Sequence, residues 1–175
     1  IKKIIKSNDG GYYIFGAVDR SVVGCGELNW TLWIAKLNAS FNVSWSKRYE
    51  FDGCDSFVDA EVIGGNIYIL TDVSDIQQYP NRLIKTDLNG NQINTQLIGS
   101  NLLDFRINYE DIAQTCDYQL LIAGNNGGLL GSRYFIEKVN SNLEITGELF
   151  GSEVNMDGKS CNQIELGHDG KFYLL

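Results

Sequence analysis

The feature that most constrains this chain is a repeat of about fifty residues. Asp9-Gly10-Gly11-Tyr12-Tyr13-Ile14-Phe15-Gly16 returns as Gly64-Gly65-Asn66-Ile67-Tyr68-Ile69-Leu70 and as Cys116-Asp117-Tyr118-Gln119-Leu120-Leu121-Ile122-Ala123-Gly124. It returns once more as His168-Asp169-Gly170-Lys171-Phe172-Tyr173-Leu174. With Tyr12, Ile67, Leu120 and Phe172 as equivalents, the spacings are 55, 53 and 52. A second landmark, Trp33-Ile34-Ala35-Lys36, aligns with Leu83-Ile84-Lys85-Thr86 and Phe135-Ile136-Glu137-Lys138 at offsets of 50 and 52. Each copy is followed by a polar turn and then by an apolar residue: Val43, Ile93, Ile145. A third landmark is acidic: Asp52, Asp104 and Asp157. A repeat of this length is one supersecondary unit that must stack on its neighbours to cover its apolar faces.

Within each repeat, short runs rich in Ile, Tyr, Phe, Val and Leu alternate with Gly, Asn and Asp clusters, the texture of strands and tight turns. The second repeat reads as strands at 57–63, 66–72, 82–87 and 92–98, and the third at 109–115, 118–124, 133–139 and 144–150. Four antiparallel strands in about fifty residues describe one blade of a β-propeller. The expected fold is therefore all-β: about three and a half four-stranded blades of a larger ring, for example one of seven. The blades fall at roughly 1–51, 52–102 and 103–154, with a half blade at 155–175, in one partial domain spanning 1–175. The final residues sit inside a strand pattern, so the chain reads as part of a longer polypeptide whose remaining blades are its first partners.

These residues resemble the β-propeller repeats of bacterial secreted and cell-surface proteins. The resemblance rests on Lys85 through Gly90-Asn91, Trp45, Gly99-Ser100, Gly151-Ser152, Asp104, and Asp9 through Gly16. It implies an architecture and a secreted or cell-surface setting. It implies no particular activity, because propellers carry many unrelated functions.

Charge narrows the partners. Twenty-two acidic against 14 basic residues give a formal charge of −8, which argues against nucleic acid and against an anionic membrane surface. No apolar run approaches the ~20 residues of a membrane-spanning helix, so membrane insertion is not expected.

Four cysteines, Cys25, Cys54, Cys116 and Cys161, show no Cys-x-x-Cys spacing. Blade topology puts Cys25 in a second-to-third-strand loop and Cys54 in a blade-to-blade loop on the same face, which makes them a disulfide candidate. Cys116 and Cys161 belong to opposite faces and read as buried free thiols.

The acidic residues of the blade-to-blade loops, Asp52, Asp55, Asp104 and Asp157, are expected on one rim near the central channel. Three readings stand side by side. Aspartates cap their own turns; converging carboxylates can hold Ca²⁺, here at Asp52, Asp104 and Asp157; and two of them can serve as the acid and base of a glycoside hydrolase. The first is the simplest, because the positions recur with the repeat. Trp30 and Tyr79, in long dissimilar loops on the same face, are candidates for stacking on a sugar or anchoring a protein. The glycine-rich stretch from Asn125 to Arg133 is expected as a loop of that face. The single histidine, His168, reads as a turn residue, and no nucleophile, phosphate-loop or zinc motif occurs. No catalytic residue and no cofactor is therefore assigned, calcium excepted. The sequence favours a non-enzymatic binding or scaffold module offering one rim to a protein or glycan. The alternatives are half of a propeller hydrolase or lyase using rim carboxylates, and a structural spacer in a long adhesin.

Overall fold

A computed structural model describes residues 1–19, 30–51, 55–73, 81–99, 106–128, 131–150, 163–169 and 171–174. Among them lie fourteen strands and no helix: β1 (Lys3–Lys6), β2 (Tyr12–Asp19), β3 (Trp30–Leu37), β4 (Val43–Tyr49), β5 (Asp55–Ile63), β6 (Asn66–Val73) and β7 (Asn81–Asp87). They continue with β8 (Gln92–Ile98), β9 (Arg106–Gln114), β10 (Leu120–Gly128), β11 (Gly131–Val139), β12 (Ile145–Phe150), β13 (Ile164–Leu166) and β14 (Phe172–Leu174). They form three four-stranded antiparallel meanders, β1–β4, β5–β8 and β9–β12, followed by the hairpin β13–β14. We refer to these as the first to fourth sheets.

The turns explain the meanders. At one end of the sheets the same five-residue turn recurs, the first residue's N–H donating to the fifth residue's carbonyl: Ser7–Gly11, Asn38–Asn42, Asp87–Asn91, Thr115–Gln119, Asn140–Glu144 and Gly167–Lys171. Asn38, Asp87 and Asn140 each accept, through Oδ1, the N–H groups two and four residues on, which is the local bonding that makes Asn and Asp turn residues. The fourth position is left-handed, with φ 62° at Phe41, 72° at Gly90, 59° at Tyr118 and 71° at Leu143. In β5–β6 the turn shortens to Gly64-Gly65, both at positive φ, the two-residue connection that matches strand twist.

Packing is sheet on sheet, and in β6 and β10 alternate residues serve different neighbours. Ile67 and Ile69 join Tyr13, Phe15, Leu32 and Ile34 between the first and second sheets. Tyr68 and Leu70, on the opposite face of β6, join Tyr109, Ile112, Leu120 and Phe135 between the second and third. Ala123 packs with Ile164 and Phe172 of the fourth. A strand buried on both faces reads as a continuous apolar run, which is why the second-strand motif was the clearest landmark. The first strands lie in a row, β5 touching β1 and β9, and β9 touching β13.

Three expectations need correction. Leu37 stands opposite Val43 and Thr86 opposite Gln92, so the turn starts, Asn38, Asp87 and Asn140, are 49 and 53 apart. The third strand of the second repeat is thus displaced by one residue from the alignment read off the sequence. A one-residue slip exchanges the faces: Leu83 is the counterpart of Ile34 and packs toward the third sheet, while Ile84 packs toward the first. The described residues of the glycine-rich stretch are strand rather than loop, Asn125 to Gly128 pairing with Gly131 to Tyr134. The antiparallel ladder supplies the order that glycine propensity opposes. Cys116 is exposed, because it lies in the Thr115–Gln119 turn rather than in the strand beneath it.

Candidate functional site

The row of first strands gathers polar side chains that the alternating pattern would otherwise send to solvent. Lys3, Asp59 and Asp111 occupy one rung of three successive sheets, opposite Phe15, Leu70 and Ala123. In β5 and β9 a bulge precedes the aspartate, at Val58 and Glu110. Bulges re-aim the side chain that follows them, and here they turn each carboxylate toward the next sheet. Asp59 Oδ2 accepts the Ile112 N–H at 3.2 Å, and Asp111 Oδ2 accepts the Ile164 N–H at 2.8 Å. In both, donor and acceptor are 53 residues apart. Lys3 Nζ reaches back from the first sheet to Asp59 Oδ1 at 2.6 Å and Glu61 Oε1 at 3.5 Å.

Lys3, Glu61 and Asp111 line an open cavity of about 580 Å³ among β1, β5, β9 and β13. Its walls carry Lys3, Glu61, Asp111, Gln163 and Glu165, with the exposed ring of Tyr118 and the thiol of Cys116 at the turn. Gln163 Nε2 donates to Glu165 Oε1 at 2.7 Å. Burial works against the Lys3 ammonium, but hydrogen bonding and attraction to Asp59, with Glu61 and Asp111 behind, outweigh it and raise its pKa above 10.5. Burial pushes the Glu61 carboxyl up against the opposing pull of Lys3. Burial and the neighbouring Asp59 push Asp111 up to about 7, against the Ile164 N–H and Lys3. A carboxyl held partly protonated at neutral pH can donate as well as accept a hydrogen bond.

The candidate residues of the sequence analysis fare differently. Asp52, Asp104, Asp157, Tyr79, Cys25, Cys54 and Cys161 lie outside the described residues, as does the calcium expected on the first three. Trp30 opens β3 with its backbone opposite Asp19, and its side chain lies outside the described ones. Asp55 is described and buried: its Oδ1 accepts from Thr71 Oγ1 at 2.8 Å and from Arg82 Nε at 2.9 Å. The Arg82 guanidinium lies over the Phe51 ring at 4.3 Å. His168 sits in the β13–β14 turn.

The cavity residues escaped notice, although two signals were present. Asp59, Asp111 and Gln163 are 52 apart, as are Glu61, Ala113 and Glu165, and all but Ala113 set a polar residue in or next to a first strand. Comparison with protein-family models and with curated proteins finds no match.

Proposed function

We propose that this chain is a stretch of β-propeller acting as a non-enzymatic, glycan-binding module of a secreted or cell-surface protein. Its four sheets are then blades at roughly 1–51, 52–102 and 103–154 and a half blade from 155, with the row of first strands facing the central channel. The observation that carries the reading is the cavity at the short-turn end of that row. It has the size of a small-ligand site, and it offers carboxylates, an amide and an ammonium beside one exposed aromatic ring. Sugars are held in this way, hydroxyls on fixed polar groups and the apolar ring face on Tyr118.

A two-carboxylate hydrolase fits less well. Its acid and base stand ~5–9.5 Å apart to admit the glycosidic bond or a water. Asp59 and Asp111 are within hydrogen-bonding reach of each other and already hold backbone N–H groups of the next sheet.

The test is a glycan array followed by calorimetric titration of the best ligand, on the wild type and on Tyr118→Asn and Glu165→Gln. Tyr118 sits at φ 59°, where Asn is better tolerated, so lost binding in that variant reports the missing ring rather than a damaged fold. Both variants should weaken binding at least about tenfold, the scale of one lost stacking or charged contact. A panel with no specific ligand, or a ligand indifferent to both changes, overturns the proposal.

A further inference from the structure

We infer that Asp111 is a proton-operated clasp between the second and third sheets. The geometry stands independently of any ligand. Asp111 lies on β9 facing Asp59 on β5, and Asp59 is fixed by two contacts, Lys3 Nζ at 2.6 Å and the Ile112 N–H at 3.2 Å. Asp111 is fixed on one side only, through Oδ2 to the Ile164 N–H. Its other oxygen is the place for the proton. With that proton present, Asp111 donates to the Asp59 carboxylate and ties β9 to β5. Without it, two carboxylates face each other, and the one ammonium nearby is already bonded to Asp59 and Glu61.

The charged groups around the pair belong to every strand that packs there: Lys3 on β1, Asp59 and Glu61 on β5, and Glu165 on β13. Among the described residues there, Lys3 is the only cation, and it is engaged by both Asp59 and Glu61. One positive charge therefore serves a site that would carry four negative charges if every carboxyl ionised. The proton on Asp111 relieves that excess at the most crowded point. Its removal loosens the contact between the sheets while leaving the Ile164 N–H bond intact, so acid closes this junction and alkali opens it.

The sign follows from linkage. A carboxyl whose pKa is higher in the folded than in the unfolded chain adds stability below its unfolded value and loses it as pH rises through its folded value. The window runs from about 4 to about 7. Asp111→Asn is the informative variant, since its amide donates to Asp59 and its carbonyl accepts from Ile164 at every pH.

The experiment uses the full chain and two readouts. Urea unfolding from pH 4.5 to 8.5 should show the wild-type folding constant falling at least about tenfold with rising pH, the equivalent of one unit of net shift. In Asp111→Asn that component should disappear. Carbon-13 NMR of the Asp111 carboxyl should titrate near neutrality in the wild type, and the midpoint should drop in Asp59→Asn, where the facing charge is gone. An Asp111 midpoint in the ordinary carboxylate range, a midpoint unmoved by Asp59→Asn, or an undiminished fall in Asp111→Asn would each overturn the clasp. The wild-type titration keeps the inference testable even where a variant fails to fold.

Discussion

Replacing Glu137 by Gln should stabilise this protein, against the usual effect of altering a buried residue. Glu137 lies on β11, facing the second sheet, and is 4% exposed. Its Oε2 accepts from Tyr109 Oη at 2.8 Å, and directly across the β11–β12 ladder stands Glu148. Burial, with the Glu148 charge in support, raises the Glu137 pKa against the opposing hydrogen bond from Tyr109. Among the described residues no cation pairs with it. The Gln amide keeps the bond from Tyr109 through its carbonyl oxygen and discards the charge. Like charges directly opposite cost about 0.2–1 kcal/mol, and a buried charged group served by one neutral donor forfeits about another 1 kcal/mol of solvation. The expected gain is thus about 1–2 kcal/mol at pH 8. It should fade in acid, where wild-type Glu137 takes up its proton and no longer differs in charge from Gln. Urea midpoints at pH 8 and pH 4.5 measure both quantities. A variant less stable than wild type at pH 8, or one whose gain is the same at both pH values, would refute the reasoning.

Further outcomes follow from the turns and the buried pairs. Asp55→Ala should cost about 1–3 kcal/mol, because it removes a buried carboxylate that accepts from both Thr71 Oγ1 and Arg82 Nε; a loss below about 0.5 kcal/mol in thermal or chemical unfolding would mean that these two bonds contribute nothing to the fold. Gly90→Ala should cost about 2 kcal/mol or more: φ is 72°, and the added Cβ would lie 2.9 Å from the Trp45 ring and from Tyr49 Oη, which donates to the Gly90 carbonyl. An unchanged unfolding midpoint contradicts this. Tyr118→Asn should add about 0.5–1 kcal/mol by relieving left-handed strain at an exposed site, and a lower melting temperature would count against it. Leu143 shares that φ but is fully buried, so Leu143→Asn should destabilise, the lost packing outweighing the relieved backbone; gain in both turns would show that burial at Leu143 matters little.

The strand-3 lysines show how one position takes different partners. Lys36, Lys85 and Lys138 stand on equivalent rungs, one residue before Leu37, Thr86 and Val139. Lys36 and Lys138 bond Asp9 and Asp117, in the β1–β2 and β9–β10 turns of their own sheets, at 2.7 and 3.0 Å. In the second sheet the turn is Gly64-Gly65 and carries no carboxylate. Lys85 instead donates to the Ser141 carbonyl of the third sheet at 2.8 Å. A side chain long enough to reach either turn satisfies its charge where an acceptor exists, and the sequence of the neighbouring turn decides which.

The sequence alone determined the strand inventory, the turn chemistry and the stacked, all-β organisation. Each of these is encoded locally, in period-2 apolar runs, in Asn, Asp and Gly clustered at the turns, and in a period repeated often enough to be read. It also determined that β6 and β10 would be central, since residues apolar on both faces have to be covered on both. Tertiary structure alone decided which polar residues meet. Asp59 and Lys3 are 56 residues apart, and Asp111 is another 52 from Asp59. Their place within first-strand runs sets these aspartates apart from those of the turns, but nothing local says which residues they will meet. They converge because two bulges and the row of first strands direct them at each other, and the raised pKa of Asp111 follows from burial and the neighbouring Asp59, which act only after the sheets have stacked. The one-residue displacement in the second repeat was decided at the same level, by ladder pairing and core packing acting together.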